Sequence, residues 1–255
     1  MSKTCKTWSM ESPLFICMLL ILIPRHALIL ATRSPKRSNV PDTADISPSK
    51  VVVDRFILAQ YSPIGASIHY GKRPVSKQPK WTLHGLWPSN SQDDRGEGLK
   101  KCGGIYKPII DKPIAEMRKD LMESWPNYDP TNTNEIFWAH EYQEHGTCAS
   151  STESMNTAKK YFQESLRLLN LHNMKDIMNK ANVTPGDIYT LKDLRHKINK
   201  VAGAEVQLIC GGVTRIDPVQ YLYEARLCFD AKLNLVSCQN NSGCNYKKPV
   251  RIVDV

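Results

Sequence analysis

The sequence predicts an α+β fold, in which several α-helices pack on a mostly antiparallel central β-sheet within one disulfide-stabilised domain. Three observations predict it. Residues 51–255 contain strand patterns of period two as well as helical patterns of period 3.6. The strand and helix patterns do not alternate regularly along the chain, which argues against the parallel sheet of a βαβ fold. The same region holds six cysteines that are able to cross-link it.

The first part of the domain is predicted to contain two strands separated by loops. Residues 51–60 (VVVDRFILAQ) are β-branched and apolar enough for a buried strand, which residues 61–65 (YSPIG) then break. Residues 69–80 are basic and contain prolines, so we expect a surface loop that leads into a short strand at residues 81–86. Residues 89–98 (SNSQDDRGEG) are again a loop.

Helical periodicity is clearest at residues 155–169. Apolar residues there fall on one helical face: Met155, Ala158, Tyr161, Phe162, Leu166 and Leu169. We interpret this face as part of the core, because an apolar stripe on a helix of a globular domain usually packs inward. The remaining elements are helices at residues 109–122, 135–145, 174–181 and 191–201 and strands at residues 205–210, 221–229 and 251–255.

Residues 1–31 predict a secretory signal. Lysines come first, and an apolar run at residues 14–23 and a small residue at Ala31 follow. The alternative is a membrane anchor, but the run has only ten residues before Arg25 and His26 interrupt it, whereas a spanning helix needs about 20. Removal of the signal is expected to leave no segment that crosses a membrane.

Residues 32–50 predict a mobile leader, because they are rich in Ser, Pro and charge and offer little to bury. Residues 51–255 are then the folded domain. The chain has a net charge of +9, of which residues 1–50 contribute +4, so the domain keeps a surplus of about five positive charges. Such a surplus favours encounter with a polyanion without identifying one.

Cysteine usage fits an exported chain. Cys5 and Cys17 leave with the signal, and six remain: Cys102, Cys148, Cys210, Cys228, Cys238 and Cys244. An even number predicts three disulfides, for which 15 pairings are open. No C-x-x-C pair is present, which argues against a structural zinc site. The sequons at Asn182 and Asn240 predict glycosylation in the same compartment.

Two stretches carry chemistry. In residues 81–88 (WTLHGLWP), His84 ends a predicted strand between two tryptophans, where a base can stack and a phosphate can reach the ring. The alternative is a histidine buried as core filler. The second stretch is residues 137–148 (FWAHEYQEHGTC), where a helix would bring four polar side chains to one face: His140, Glu141, Glu144 and His145. Gly146 would end that helix, and Cys148 would tie its end to another segment.

A zinc protease site is the competing interpretation of the second stretch, because it begins with His-Glu. That motif needs histidines at i and i+4, whereas His140 and His145 are at i and i+5. The extra residue turns the second ring by about 100° away from the ligand direction. We therefore expect no metal and no other cofactor.

Together the two stretches resemble the two active-site signatures of the ribonuclease T2 family. The first signature, (F/W)-T-(I/L)-H-G-L-W-P, is matched by residues 81–88. The second, F-W-x-H-E-(W/Y/F)-x-K-H-G-T-C, is matched by residues 137–148 at every fixed position except one. A looser likeness extends over about residues 51–245 and includes the spacing of the last four cysteines.

The resemblance implies a secreted endoribonuclease that cleaves single-stranded RNA without metal and forms a 2′,3′-cyclic phosphate. It implies that His145 is the base that takes the 2′-hydroxyl proton and His84 the acid that protonates the leaving 5′-oxygen. His140 would hold the phosphate and Glu141 would assist. DNA has no 2′-hydroxyl and cannot react, and we expect a monomer working best at mildly acidic pH, where one histidine can be protonated while the other is neutral.

Further expectations come from the same resemblance. Trp87 and Phe137 would stack on the bases beside the cleaved bond, which tolerates any base. The implied disulfides are Cys102–Cys148, Cys210–Cys244 and Cys228–Cys238. Both extracellular and lysosomal members begin with a secretory signal, so extracellular location is expected with the lysosome as the alternative.

Three departures from the family pattern stand out. Glu144 occupies the position of a lysine that neutralises the substrate phosphate, and losing such a contact costs about 3–4 kcal/mol at a preorganised site. Ser89 replaces an acidic residue that contacts the base. The family's cysteines near residues 61–67 and after residue 126 are both missing, which indicates a lost bridge. Glu144 supports a rival hypothesis of a weakly active or inactive secreted homologue that binds RNA or glycan or acts as an immunomodulatory protein.

Overall fold

The structure is a computed structural model that describes residues 52–71, 80–93, 96–102, 112–212, 218–239 and 243–253. The expected signal and leader lie outside these residues, as do Asn240 and most of the basic loop at residues 69–80. The described residues belong to one compact unit, Ser49–Val255.

Seven strands of the described residues form one mixed sheet: β1 (Arg55–Tyr61), β2 (Thr82–Ser89), β3 (Ile188–Tyr189), β4 (Gln207–Gly211), β5 (Gln220–Asp230), β6 (Leu235–Val236) and β7 (Val250–Arg251). The strand order is β2-β1-β5-β7-β3, and β4 and β6 also pair with β5. Only the β5–β7 pair is parallel among them. The prediction of an α+β fold with a mostly antiparallel sheet is confirmed.

Seven α-helices lie in the described residues: α1 (Pro63–His69), α2 (Lys112–Ala115), α3 (Arg118–Ser124), α4 (Asn134–Glu144), α5 (Ala158–Leu171), α6 (Met174–Lys180) and α7 (Leu191–Ala202). Short 3₁₀ turns at Gly146–Ser151 and Glu153–Met155 connect α4 to α5. Five of the helices start where a side-chain oxygen accepts a first-turn backbone N–H, namely at Ser62, Thr133, Thr157, Asn173 and Thr190. These caps explain where the chain turns helical, because they satisfy donors that the helix itself leaves unpaired.

The predicted elements need several corrections. Helix α1 occupies a segment expected to be a break, because Ser62 caps it and Pro63 is pre-set for the first helical turn. The helix expected at residues 109–122 is two short helices within its described part, with a turn at residues 116–117. The short strands β3 and β6 have too few residues to show a pattern.

The core lies where β1, β2 and β5 face α5. Tyr161, Phe162 and Leu169 of α5 are buried there, and Leu166 is partly buried against them, so the apolar face predicted for this helix is core. Met155 is fully buried as well, although it belongs to the 3₁₀ turn before the helix. No helix in the part of the chain that the structure describes is long and apolar enough to span a bilayer.

Three disulfides cross-link this framework: Cys102–Cys148, Cys210–Cys244 and Cys228–Cys238. They are the pairs that the family resemblance implies. Cys210–Cys244 ties the segment before β7 to β4, and Cys228–Cys238 ties the segment after β6 to β5. The first ties the loop after β2 to the segment that follows α4, and so fixes one wall of the site described next.

Candidate active site

A β-bulge in β2 presents His84. Leu83 pairs with Gln60 of β1, and Gly85 pairs with Ala59, so the residue between them has no partner of its own. A bulge of this kind re-aims one side chain and is common beside functional sites. His84 is that extra residue. The bulge therefore explains why its side chain does not follow the regular alternation of side chains between the two faces of the sheet.

Two tryptophans connect this bulge to helix α4. The indole N–H of Trp125 donates to the backbone carbonyl of His84 at 2.7 Å, and the indole N–H of Trp138 donates to the carbonyl of Trp125 at 2.7 Å. Both rings are buried in the core. Because Trp138 belongs to α4, the helix and the bulge are held in fixed relation.

The His84 ring is surrounded by two carboxylates and an aromatic face. Its Nδ1 lies 3.0 Å from Oε2 of Glu224, and its Nε2 lies 3.9 Å from Oε1 of Glu141. The ring stacks on Tyr61 with centroids 4.3 Å apart and planes 15° apart. The side chain keeps 20% exposure, so it is held firmly while one part still reaches solvent.

Glu141 is the buried carboxylate of α4, with 2% exposure. Burial raises its pKa above the usual value, against the opposing effect of His84. The indole N–H of Trp87 donates to its Oε2 at 2.9 Å. A Cβ at Gly85 would collide with both Oε2 of Glu141 and Nε1 of Trp87, so this contact requires glycine at position 85.

His145 follows the last residue of α4 and is 5% exposed. Its Nδ1 lies 2.9 Å from the carbonyl oxygen of Leu99. A carbonyl only accepts, so Nδ1 carries the proton and Nε2 of the neutral ring keeps its unshared electron pair. Burial lowers the pKa of His145 to about 4, although the Leu99 contact opposes the shift.

His84, Glu141 and His145 line one open pocket of about 370 Å³. Its lining residues are His84, Trp87, Glu97, Lys100, His140, Glu141, Glu144, His145 and Arg226. A second pocket of about 400 Å³ has three lining residues in common with the first. Its other lining residues include Phe137 and three tyrosines: Tyr61, Tyr70 and Tyr128. Because His84, His140 and Glu141 line both pockets, a chain-like ligand could occupy the two together.

Comparison with known proteins shows which family the chain belongs to. Residues 59–238 match the model of the ribonuclease T2 family. The chain belongs to this family. As a member it is an endoribonuclease of the ribonuclease T2 type, and the family acts on RNA.

Relatives and solved structures agree with this assignment. Ribonuclease Oy of Magallana gigas is 28% identical over 175 residues, which are 66% of this chain and 81% of that protein. Ribonuclease T2 of Danio rerio is 29% identical over 177 residues, 69% of each chain. Ribonuclease MC1 from bitter gourd seeds superposes with a TM-score of 0.62 at 27% identity, covering 76% of this chain and 98% of that one.

Human RNase T2 shares the fold, with a TM-score of 0.63 at 23% identity over 78% of this chain and 98% of that one. A variant of RNase MC1, 26% identical, has been solved in complex with 5′-UMP.

The residues proposed from the two ribonuclease T2 signatures come together in the structure. His140 is exposed at the junction of the two pockets, and Glu144 is half-buried in the first. Phe137 is half-buried and faces the second pocket. Helix α4 ends at Glu144, so Gly146 is not its cap; a Cβ at Gly146 would instead collide with the Tyr142 ring.

The position of Trp87 does not match the expectation that its ring stacks on a base. It is only 4% exposed, and its ring is covered by the guanidinium of Arg226 with the Cζ 4.8 Å from the ring centroid. Its contacts therefore support Glu141. Ser89 is also buried, and its hydroxyl donates to Asp93 at 2.8 Å.

Sequence reasoning missed three charged residues that lie in or next to this pocket. Glu224 and Arg226 lie on β5, and Lys100 lies in the loop before Cys102. A signal for the first two is visible in residues 220–230, where opposite charges two apart share one face of an otherwise apolar strand. In the described residues no set of three or more His, Cys, Asp or Glu is placed to hold a metal ion.

Proposed function

We propose that this chain is a secreted endoribonuclease that cleaves single-stranded RNA by acid–base transphosphorylation through a 2′,3′-cyclic phosphate, without a metal ion. One observation carries the proposal: a single pocket holds two histidines from separate parts of the chain, His84 with a carboxylate at its Nδ1 and His145 with a neutral carbonyl. One proton acceptor and one proton donor are what this reaction needs.

His145 acts as the base. Its Nε2 electron pair takes the proton of the ribose 2′-hydroxyl as that oxygen attacks the phosphorus. With a pKa of about 4, the ring is mostly neutral above about pH 5. This is the state that accepts a proton.

His84 acts as the acid. Its Nε2–H protonates the 5′-oxygen as the P–O5′ bond breaks and the electron pair moves to that oxygen. Glu141, 3.9 Å from this nitrogen, assists by stabilising the positive ring. The cyclic phosphate can be hydrolysed afterwards by the same two groups in reversed roles.

The phosphate is held by hydrogen-bonding and cationic side chains at the mouth of the pocket. His140 is exposed there, and the half-exposed Lys100 contributes an ammonium, which Glu97 at 3.4 Å partly balances. Lys100 supplies a charge that Glu144 does not. The bases beside the cleaved bond stack on Phe137 and neighbouring aromatics of the second pocket, which accepts single-stranded RNA of any sequence. DNA lacks the reacting 2′-hydroxyl.

The rest of the chain fits this assignment. Residues 1–31 are proposed to be the secretory signal, residues 32–50 a leader and residues 51–255 the ribonuclease domain, acting as a monomer. Asn182, which is exposed, and Asn240 are the proposed glycosylation sites. The location is outside the cell, with the lysosome as the alternative.

The test is cleavage of single-stranded RNA by the purified domain from pH 4 to 8 with EDTA present. We expect products ending in a cyclic phosphate, and loss of cleavage by at least about 100-fold in His84→Ala and His145→Ala, the size typical of a general acid or base. His196→Ala is the matched control, because His196 is exposed on α7 away from the pocket. Absence of any cleavage by the unmodified domain would refute the proposal.

A second candidate function rests on Glu144. Its carboxylate lines the pocket and repels the phosphate that a lysine would attract. The chain would then be a weakly active or inactive secreted protein that binds RNA or glycan or acts in immune signalling. This candidate predicts RNA retention without cleavage, and turnover only in Glu144→Lys.

A further inference from the structure

Glu224 is a buried carboxylate of the site to which the mechanism above gives no task. It lies on β5 opposite Tyr61 of β1, and only 2% of its surface is exposed. Its Oε2 is 3.0 Å from Nδ1 of His84, and its Oε1 accepts from Nε of Arg226 at 2.5 Å. Both oxygens are therefore used, one on the reacting histidine and one on a cation.

Arg226 is itself fixed in place. Its Nη1 donates to the carbonyl of Gly96 at 2.8 Å, and its guanidinium lies over the Trp87 ring. A guanidinium held by several partners gives a buried carboxylate both charge and direction. Burial alone raises the pKa of Glu224, but His84 and Arg226 outweigh burial and bring it to about 2.

The two histidines of the site thus differ in what their Nδ1 contacts. His145 donates from Nδ1 to a neutral carbonyl, that of Leu99, whereas His84 contacts a carboxylate. An ionised carboxylate only accepts, so Nδ1 of His84 carries a proton and the exchangeable proton resides on Nε2. A negative partner stabilises the positive ring more than a neutral one does.

We propose that Glu224 is a positioning residue that makes His84 the proton donor of the reaction, and that Arg226 holds Glu224 in the ionised form for this task. The proposal rests on the proposed function. In the step concerned, the P–O5′ bond breaks, its electron pair goes to O5′, and the Nε2 proton of His84 moves to O5′. The ring left behind is neutral and keeps the proton on Nδ1, directed at Glu224.

The test compares two substrates in Glu224→Gln, which keeps the shape and removes the charge. The first is a dinucleotide such as UpA, whose alkoxide leaving group needs a proton. The second is uridine 3′-(4-nitrophenyl phosphate), whose phenolate leaves without one. We expect kcat to fall by about 10- to 100-fold on UpA, the loss typical of a residue that orients a reacting group, and to change by less than about 3-fold on the aryl ester, which bypasses the acid step.

Glu205→Gln is the matched control, since Glu205 is an exposed carboxylate bound to Arg195 outside the pocket, and it should leave both rates unchanged. An equal loss on both substrates in Glu224→Gln, or no loss on either, would overturn the proposal. If the unmodified enzyme cleaves neither substrate, the proposed function itself is wrong.

A measurement on the unmodified protein covers the case in which Glu224→Gln does not fold. ¹⁵N spectra of histidine-labelled protein, assigned through His84→Gln, report which ring nitrogen is protonated. We expect the neutral His84 ring as the Nδ1–H tautomer. The Nε2–H tautomer would contradict a donor bond from Nδ1 to Glu224.

Discussion

Burial decides the protonation state of His145. The ring is almost enclosed, and its pKa is lowered from 6.5 to about 4 because the charged form loses its hydration. A base acts only when unprotonated, so the proposed role of His145 predicts that the rate is lost as pH falls through this value. This matters for an enzyme expected to work in mildly acidic surroundings, where an unperturbed histidine would already be largely protonated.

The first prediction follows for the pH dependence of kcat/KM. We expect it to fall about tenfold per pH unit below pH 4 and to show no acid limb between pH 5 and 7. The measurement is cleavage of a dinucleotide at constant ionic strength from pH 3 to 8. An acid limb centred near pH 6.5 would contradict the assignment of His145 as a buried neutral base.

In the proposed mechanism, the side chain at position 144 faces the substrate phosphate. Glu144 and Lys100 line the same pocket with opposite charges. The second prediction is that Glu144→Lys raises kcat/KM by at least about tenfold, because repulsion becomes attraction at a place where one contact is worth about 3–4 kcal/mol. Glu144→Gln, which only removes the repulsion, should give a smaller gain.

Lys100→Met provides the complementary measurement. Removing this cation should lower kcat/KM and weaken its dependence on salt concentration, because fewer ionic contacts to phosphate remain. If Glu144→Lys leaves kcat/KM unchanged at both low and high salt, the carboxylate does not face the substrate phosphate.

At the scale of elements, β2 and α4 meet at a contact that leaves no room for a side chain. Gly85 lies against the hydrogen bond between Trp87 and Glu141. The third prediction is that Gly85→Ala displaces this pair and lowers kcat by about 100-fold or more, since small misplacements at a preorganised site are costly. Thermal unfolding and kcat are measured together, and an alanine variant with full activity would show that the pair is not needed.

The helices that the sequence predicted well are those with a clear local pattern and no competing turn signal. Helix α5 shows its apolar period over four turns, and α4 is marked by the polar cluster at its end. Helix α1 carries a cap and a proline that identify its start, but its seven residues contain too little period to outweigh the turn signal of residues 61–65. Helix α6 also has seven residues and was predicted, so the competing turn signal of residues 61–65, and not shortness alone, hid α1.

The candidate site was predictable where its residues are close in sequence. Residues 81–88 and residues 137–148 each hold their reactive side chains within a few positions of one another. Glu224 reaches His84 only because β5 pairs with β1 and β1 with β2. Such a register depends on tertiary packing across 140 positions of the chain, which no local pattern encodes.

Over the whole molecule, the buried groups of the active site make stability depend on pH. His145 has a lower pKa folded than unfolded, so the unfolded chain binds a proton between pH 6.5 and 4 while the folded one does not. Its contribution to stability is complete above pH 6.5 and is lost as pH falls to about 4. His69 and His172 have pKa values lowered by burial and act in the same direction.

Glu224 acts in a lower pH window. Its pKa is about 2 in the folded protein against an ordinary 4.5, so its contribution is present above pH 4.5 and is lost as pH falls through 2. On acidification, the contribution of His145 to stability is therefore lost first and that of Glu224 second. The three disulfides limit unfolding at every pH, because they restrict the unfolded chain independently of protonation.

The fourth prediction concerns the free energy of unfolding, measured by urea denaturation at intervals between pH 7 and 4. We expect it to fall by on the order of 3 kcal/mol from His145 alone, since one pKa unit corresponds to about 1.4 kcal/mol. In His145→Gln, which cannot titrate, the decrease over this range should shrink by a similar amount, while His196→Gln should retain it. If the free energy of unfolding of His145→Gln decreases as much as that of the unmodified protein, His145 titrates alike in the folded and unfolded states. That result would remove the physical basis for its role as a neutral base at acidic pH.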